Sequence, residues 1–311
     1  MKATTLFAET LMAALLAAPM LAQKITPTDE KVPCRNYKDV LALFDRLGYT
    51  QKAWQAGIRE VPPVYLANVV PHAWRERNIK ELSVADKKRL FFRLLAPIVL
   101  RINELILEDR VRAKGLTERL AQGQSVTPDD QAWLTELAVK YKVLKSTSER
   151  LDSDAFAELL MRVDVVPPSL SLAQAAIESG WGTSRFAAQG NSLFGQWSWG
   201  KGLKPAEQRT SEFGDQRIAT FGSTAQAAYA YALNLNTERA YRDLRLKRAD
   251  LRRRNLRISG TVLAETLLNY SERGQAYVDD LKALIRENRL DDADDAHLRH
   301  MAVIHIVPAG T

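Results

Sequence analysis

Apolar residues recur at helical spacing through much of the chain, and the breaks in that pattern divide it. Leu90, Leu94, Leu95, Ile98, Ile102, Leu105 and Ile106 predict a helix over about 84–113, capped by Ser83 and bent at Pro97. "TPDDQAWLTELAVKYKV" predicts a second helix, with Thr127 as cap and Pro128 at its first position, and "SDAFAELLMRV" predicts a third. Residues 23–80 carry Pro27, Pro33, Pro62, Pro63 and Pro71 between short apolar pieces, a pattern of irregular structure with one or two short helices. Past residue 200 the period changes. "RTSEFGDQRIATFGS" gathers β-branched and aromatic residues around Gly214-Asp215, which predicts a small β-hairpin. Helical periodicity returns in "STAQAAYAYALNLNTERAYRDLR" and in "GTVLAETLLNYSERGQAYVDDLKALIRENRL". The tail from 291 to 311 starts acidic and ends apolar, so it is either a loose terminus or a docked strand.

The densest candidate chemistry lies in "SLSLAQAAIESGWGTSRFAAQGNSLFGQWSW", residues 169–199. Pro167 and Pro168 mark the start of a helix there and Gly180 its end. Leu170, Ala173 and Ile177 share one face, while Gln174 and Glu178 stack four residues apart. Glu178 thus falls in the last turn, where unpaired carbonyls disfavour a second negative charge. Desolvation beside Trp181 would act in the same direction, so both effects favour the neutral acid. A carboxylic acid protonated near neutral pH is what a general acid in glycosidic cleavage requires. Gly180 and Gly182 permit a tight turn around Trp181 that could bring main-chain N–H groups to a ligand. Trp197 and Trp199 alternate, so an extended backbone projects both from one side as platforms for sugar rings.

Composition narrows the classes. Of 311 residues, 46% are hydrophobic and 26% charged, the balance of a globular protein of one or two domains. Lys2 followed by the apolar stretch from Leu11 to Ala22 reads as a secretory signal peptide cleaved near Ala22, with an uncleaved anchor as the alternative, and predicts an exported or periplasmic protein. The net charge of +7 survives that cleavage, because residues 1–22 hold one Lys and one Glu. A basic exported protein suits an anionic cell-wall polymer or envelope surface better than nucleic acid. Between Arg242 and Arg257 eight basic residues face Asp243 and Asp250, either a solvated helix face or an anion-binding strip. Cys34 is the single cysteine and the four histidines have no HExxH spacing, so neither a disulfide nor a metal or other cofactor is expected.

"LAQAAIESGWGTSRFAAQGNSLFGQW" resembles the signature of the glucosaminidase domain of glycoside hydrolase family 73, in particular its Bax-type branch in Gram-negative bacteria. "VVPPSLSLAQAAIESGWGTSRFA" and "LNLNTERAYRDLR" are similar to the same branch, and "KKRLFFRLLAPIVLRINELI" extends the resemblance into the amino-terminal half. The resemblance implies a mainly α, lysozyme-like helical domain with a small β-hairpin lobe, preceded by a helical amino-terminal region. The expected organisation is a signal peptide at 1–22, a mostly helical region at 23–150, a catalytic domain at 151–290 and a tail at 291–311.

The implied activity is cleavage of peptidoglycan after N-acetylglucosamine, and a monomer without cofactor is expected. Glu178 in ESGWG corresponds to the family's general acid, and Glu212 in "RTSEF" fits the second carboxylate of the β-lobe. Asn191 and Phe194 match the asparagine-rich turn, although Ser192 stands where a second Asn is common. Tyr241 corresponds to the cleft tyrosine, and Tyr231 and Tyr277 match further aromatic positions. Gln174, Trp181, Trp197 and Trp199 complete the expected sugar-binding set. A lytic transglycosylase or muramidase, and a non-catalytic peptidoglycan-binding or scaffolding protein, are the alternatives.

Overall fold

The computed structural model describes residues 29–66, 74, 81–205 and 215–309. The expected signal peptide at 1–22 and the segment containing Glu212 and Gly214 lie outside the described residues.

Near its amino terminus the chain forms β1 (Glu30–Cys34), α1 (Tyr37–Arg46), α2 (Gln51–Gln55), β2 (Glu60–Val61) and β3 (Val64–Leu66). Asn36 starts α1 by accepting from the backbone N–H groups of Lys38 and Asp39, and Thr50 does the same for α2 through Ala53. Tyr37, Val40, Leu43 and Phe44, spaced three and four apart, turn one face of α1 inward.

Three helices follow: α3 (Val84–Ala121), α4 (Pro128–Lys140) and α5 (Ser153–Arg162). Ser83, Thr127 and Asp152 cap them, each accepting a backbone N–H three residues on. The start of α3 is where the pattern predicts, and Pro97 sits buried within the helix. Its end lies two turns beyond the expected one, because Ala113, Leu116 and Thr117 continue the buried stripe past Gly115. Tertiary burial outweighs the roughly 1 kcal/mol that glycine costs inside a helix.

The remainder comprises α6 (Pro168–Ser179), α7 (Arg185–Gly190), β4 (Trp197–Trp199), β5 (Gln216–Ile218) and α8 (Thr224–Thr237). After a single 3-10 turn at Arg239–Tyr241 come α9 (Arg242–Arg253), α10 (Gly260–Ala264) and α11 (Gln275–Glu287). A second 3-10 turn at Leu290–Asp295 precedes β6 (His297–Leu298) and β7 (Ile304–Pro308). Helix α6 is buried on nearly every side and packs against α3, α10, α11 and the second 3-10 turn. A helix apolar all round belongs at the centre of a domain, and α8, buried from Ala227 to Thr237, is its counterpart. The fold is mainly α and lysozyme-like, with only small sheets.

The small sheets decide between some of the expectations from sequence and correct one. Of the hairpin expected around Gly214-Asp215, the strand after the turn is β5, which pairs antiparallel with β4 so that Trp197 faces Ile218 and Trp199 faces Gln216; the arm before the turn lies outside the described residues. The tail is a docked strand: β7 lies between β1 and β3, parallel to both. The region from 30 to 66 is therefore not simply helical. It forms a small α/β unit with its own apolar cluster, containing Val32, Phe44 and Val64, closed by Ile304 and Ile306 of the tail.

The basic stretch of α9 is neither a solvated face nor an anion strip as a whole. Arg245 and Arg248 are fully buried; Arg245 donates to the carbonyls of Leu235 and Glu238, and Arg248 to those of Met161, Asp164 and Val165. Burial pulls both guanidinium groups down to about 10. Burial alone would raise Asp164, but Arg248, Arg252 and Arg110 outweigh it and hold its carboxyl below the usual range. Arg252 grips that carboxylate through two bonds of 2.5 Å.

Candidate active site

Glu178 sits where the punctuation of α6 predicts. Pro168 opens the helix and Gly180, at φ +55°, closes it in the left-handed conformation. The following turn needs two more positive φ angles, at Trp181 and Gly182. Its N–H groups are consumed internally: Trp181 N donates to the Ala176 carbonyl and Gly182 N to Ser179 Oγ. The expected main-chain N–H groups for a ligand are thus committed to ending the helix.

The carboxyl of Glu178 is raised above its ordinary range, chiefly by burial and in spite of a hydrogen bond from Tyr277. Gly195 closes one side: a Cβ there would lie 2.8 Å from Glu178 Oε2, and its φ of +62° independently favours glycine. Trp181 is placed differently from the expectation. Its recorded ring contacts are edge-on to Phe91 and Phe92 of α3, at 5.9 and 5.2 Å between centroids, with Lys88 Nζ 4.7 Å above the ring. Trp181 therefore joins the amino-terminal half of the chain to the turn after Glu178.

Behind Glu178 lies a buried relay of amide and hydroxyl groups. Tyr231 Oη donates to Gln174 Oε1 at 2.6 Å, Gln174 Nε2 donates to Tyr277 Oη at 2.9 Å, and the Tyr277 hydroxyl is left to donate to Glu178. Burial pushes both tyrosines far above the ordinary phenol range, so they remain hydroxyl donors. Phe194 stacks on Tyr231 with centroids 4.1 Å apart. Tyr270, which the sequence reading passed over, stacks on Tyr277 at 5.4 Å, lies 5.8 Å from Tyr241, and donates to the Phe194 carbonyl.

This placement revises four of the expected sugar contacts. Gln174, Phe194, Tyr231 and Tyr277 are each no more than 2% exposed, so they support the site from behind and do not present a face to ligand. Tyr241 is 4% exposed and hydrogen-bonds Asn234, an arrangement that fixes it behind the same wall. Asn191, in the left-handed conformation at the end of α7, spends its side-chain N–H on the Phe221 carbonyl. Trp197 is half-buried and Trp199 exposed, and the intervening Ser198 points into the domain, as alternation requires. No group of three His, Cys, Asp or Glu side chains among the described residues is placed to hold a metal ion. Chemically, the described residues of the site offer one half-buried acid with one fixed donor.

The family profile described as mannosyl-glycoprotein endo-beta-N-acetylglucosaminidase, the glucosaminidase domain, matches residues 153–290. The chain is also 34% identical to Protein bax of Escherichia coli (strain K12) over 209 residues, 67% of this chain and 72% of that protein. The chain belongs to the Bax-type glucosaminidase-domain proteins. The shared segment with Bax is longer than the glucosaminidase match, so the Bax-type resemblance extends beyond the domain itself. The domain places this Bax-type chain among peptidoglycan-related hydrolases. No solved structure is significantly similar to it.

Proposed function

We propose that the protein is an exported endo-β-N-acetylglucosaminidase that cleaves peptidoglycan glycan strands after N-acetylglucosamine, with Glu178 as general acid. The observation that carries this reading is the raised, half-buried Glu178 carboxyl with the Tyr277 hydroxyl behind it. Tyr277 occupies one oxygen, and the protonated oxygen delivers its proton to the leaving glycosidic oxygen. Glu212 is the proposed base that activates water; the substrate's acetamido carbonyl is the competing nucleophile. A carboxylate pair roughly 6.5–9.5 Å apart would suit the water route and one roughly 5–5.5 Å apart a carboxylate nucleophile. Trp197 and Trp199 are the proposed platforms for the sugar rings, and Trp181 frames the turn beside the acid.

Mass analysis of digested sacculi tests the proposal. Fragments ending in reducing N-acetylglucosamine are expected. Reducing muramic acid, anhydro-muramic acid, or binding without soluble product would each contradict it. Comparing Glu212→Ala with Glu178→Gln then separates the routes: a large loss in both supports a base at Glu212, and a small loss in Glu212→Ala supports the acetamido group.

A further inference from the structure

A cavity of about 100 Å³ lies where the amino-terminal α/β unit meets the glucosaminidase domain. Tyr49, Trp54, Phe92, Ala96 and Leu172 give it apolar walls, and the amides of Gln51, Gln55 and Asn288 line it as well. Arg93 of α3 is part of its lining. That side chain is 7% exposed, its guanidinium lies 5.4 Å from the centre of the Tyr49 ring, and its Nη1 has no hydrogen-bond partner among the described residues. The other cations of the lining are matched: Arg89 is bonded to Asp86, and Arg289 lies 3.5 Å from Asp292. A buried guanidinium without a bonded carboxylate is unfavourable, and an anion in the cavity would relieve it.

The shape of the lining selects among anions. A guanidinium fork takes a carboxylate in two parallel bonds, aliphatic carbons suit the apolar walls, and side-chain amides suit a peptide backbone. The cavity also adjoins the proposed catalytic turn. Phe92 is shared between its wall and the edge of Trp181, and Leu172 precedes Glu178 on α6 by six residues, about 9 Å along the axis. An extended peptide of three residues spans about 10 Å.

We propose that this cavity binds the carboxylate end of the peptide stem carried by the peptidoglycan substrate, with Arg93 as the anchoring cation. The proposal rests on the peptidoglycan reading above and adds a peptide requirement to it. Arg93 and the aromatic walls all belong to the amino-terminal half, which gives that half a role in choosing substrate.

Calorimetry with the free tripeptide L-Ala-γ-D-Glu-meso-diaminopimelate is the direct test, using the full chain and two variants. Arg93→Gln removes the anchor. Gln51→Glu places a carboxylate at the first position of α2, where a helix N-terminus tolerates negative charge, so it keeps the fold if Arg93→Gln does not. Each is expected to weaken tripeptide binding at least tenfold, with melting temperature confirming folding. In parallel, the wild type should digest intact sacculi at least several-fold faster than glycan stripped of stems by an amidase, and both variants should bring that ratio towards one. Unchanged binding in both folded variants would overturn the proposal, as would no tripeptide binding by the wild type. Tripeptide binding with equal rates on intact and stripped glycan would also overturn it, by assigning the cavity to free peptides. Activity on stripped glycan is read separately, so failure of the stem proposal leaves the hydrolase reading intact, and inactivity on every glycan leaves the binding result standing.

Discussion

Replacing Tyr277 by phenylalanine removes one oxygen and tests the relay that grips Glu178. Two consequences follow from the geometry. Gln174, fully buried, loses the acceptor for its Nε2, 2.9 Å away, and an orphaned buried donor costs about 1–3 kcal/mol. For domains of 150–250 residues each kcal/mol lowers the melting temperature by roughly 2–4 °C. Glu178 loses the one donor that favours its ionised form, so its pKa rises further. In an enzyme that needs Glu178 protonated, the alkaline limb of kcat/KM then moves to higher pH. Tyr231→Phe is the control, because it removes the bond to Gln174 Oε1 at 2.6 Å without touching Glu178. It should destabilise by a similar amount and leave the limb close to its wild-type position. Thermal melting and a pH–rate profile on sacculi read both effects. A Tyr277→Phe enzyme with unchanged melting temperature and unchanged limb would refute the relay.

Other parts of the structure make equally definite predictions. Asp164→Ala leaves Arg248 buried without its carboxylate, so chemical denaturation should show a loss of about 3–5 kcal/mol; a loss under 1 kcal/mol would contradict the buried cluster. Gly195→Ala puts a methyl group 2.8 Å from Glu178 Oε2 at a left-handed residue, for a stability cost of about 1–2 kcal/mol and a fall in kcat of about 10²-fold, whereas a wild-type rate would show that the carboxyl needs no such space. Asp294 accepts from Ser169 N, Ser169 Oγ and Gly260 N, and burial still pushes it up to about 6. Because the folded state binds this proton more tightly than the unfolded chain, its contribution is complete below about pH 4 and is lost as pH rises through about 6, on the order of 2–3 kcal/mol. The difference in stability between wild type and Asp294→Asn should therefore change by that amount between pH 4 and 7, and a constant difference would show that Asp294 does not hold its proton.

Local signals were legible in the sequence and long-range ones were not. Ser83, Thr127 with Pro128, and Gly180 mark helix ends because capping is decided within three or four residues, and those boundaries match the fold. Glu178 was legible for the same reason: its place in the last turn before Gly180 follows from local chemistry. What raises its proton affinity is burial by the rest of the fold, opposed by Tyr277 nearly a hundred residues on, while Gly195 beyond α7 lies against the same carboxyl. The parallel pairing of β1 with β7 joins opposite ends of the chain, and no period in either segment announces it. Arg245 and Arg248 look like their exposed neighbours in a basic run, and only the carbonyls converging from α5, α8 and the turns that follow them explain their burial. Aromatic positions were found by type but not by direction. Trp199 faces solvent while Phe194 and Tyr231 stack in the core, a distinction that requires knowing which face each element turns inward.

The central claim is that Glu178 supplies the proton for glycosidic cleavage, and the release of reducing ends from purified sacculi by Glu178→Gln tests it most directly. The amide keeps the volume of the acid and can still accept the Tyr277 hydrogen bond, so the variant should melt within a few degrees of the wild type. Its rate should fall by about 10²-fold or more, the range expected on losing a general acid. A folded Glu178→Gln protein that releases reducing ends at the wild-type rate would contradict the account.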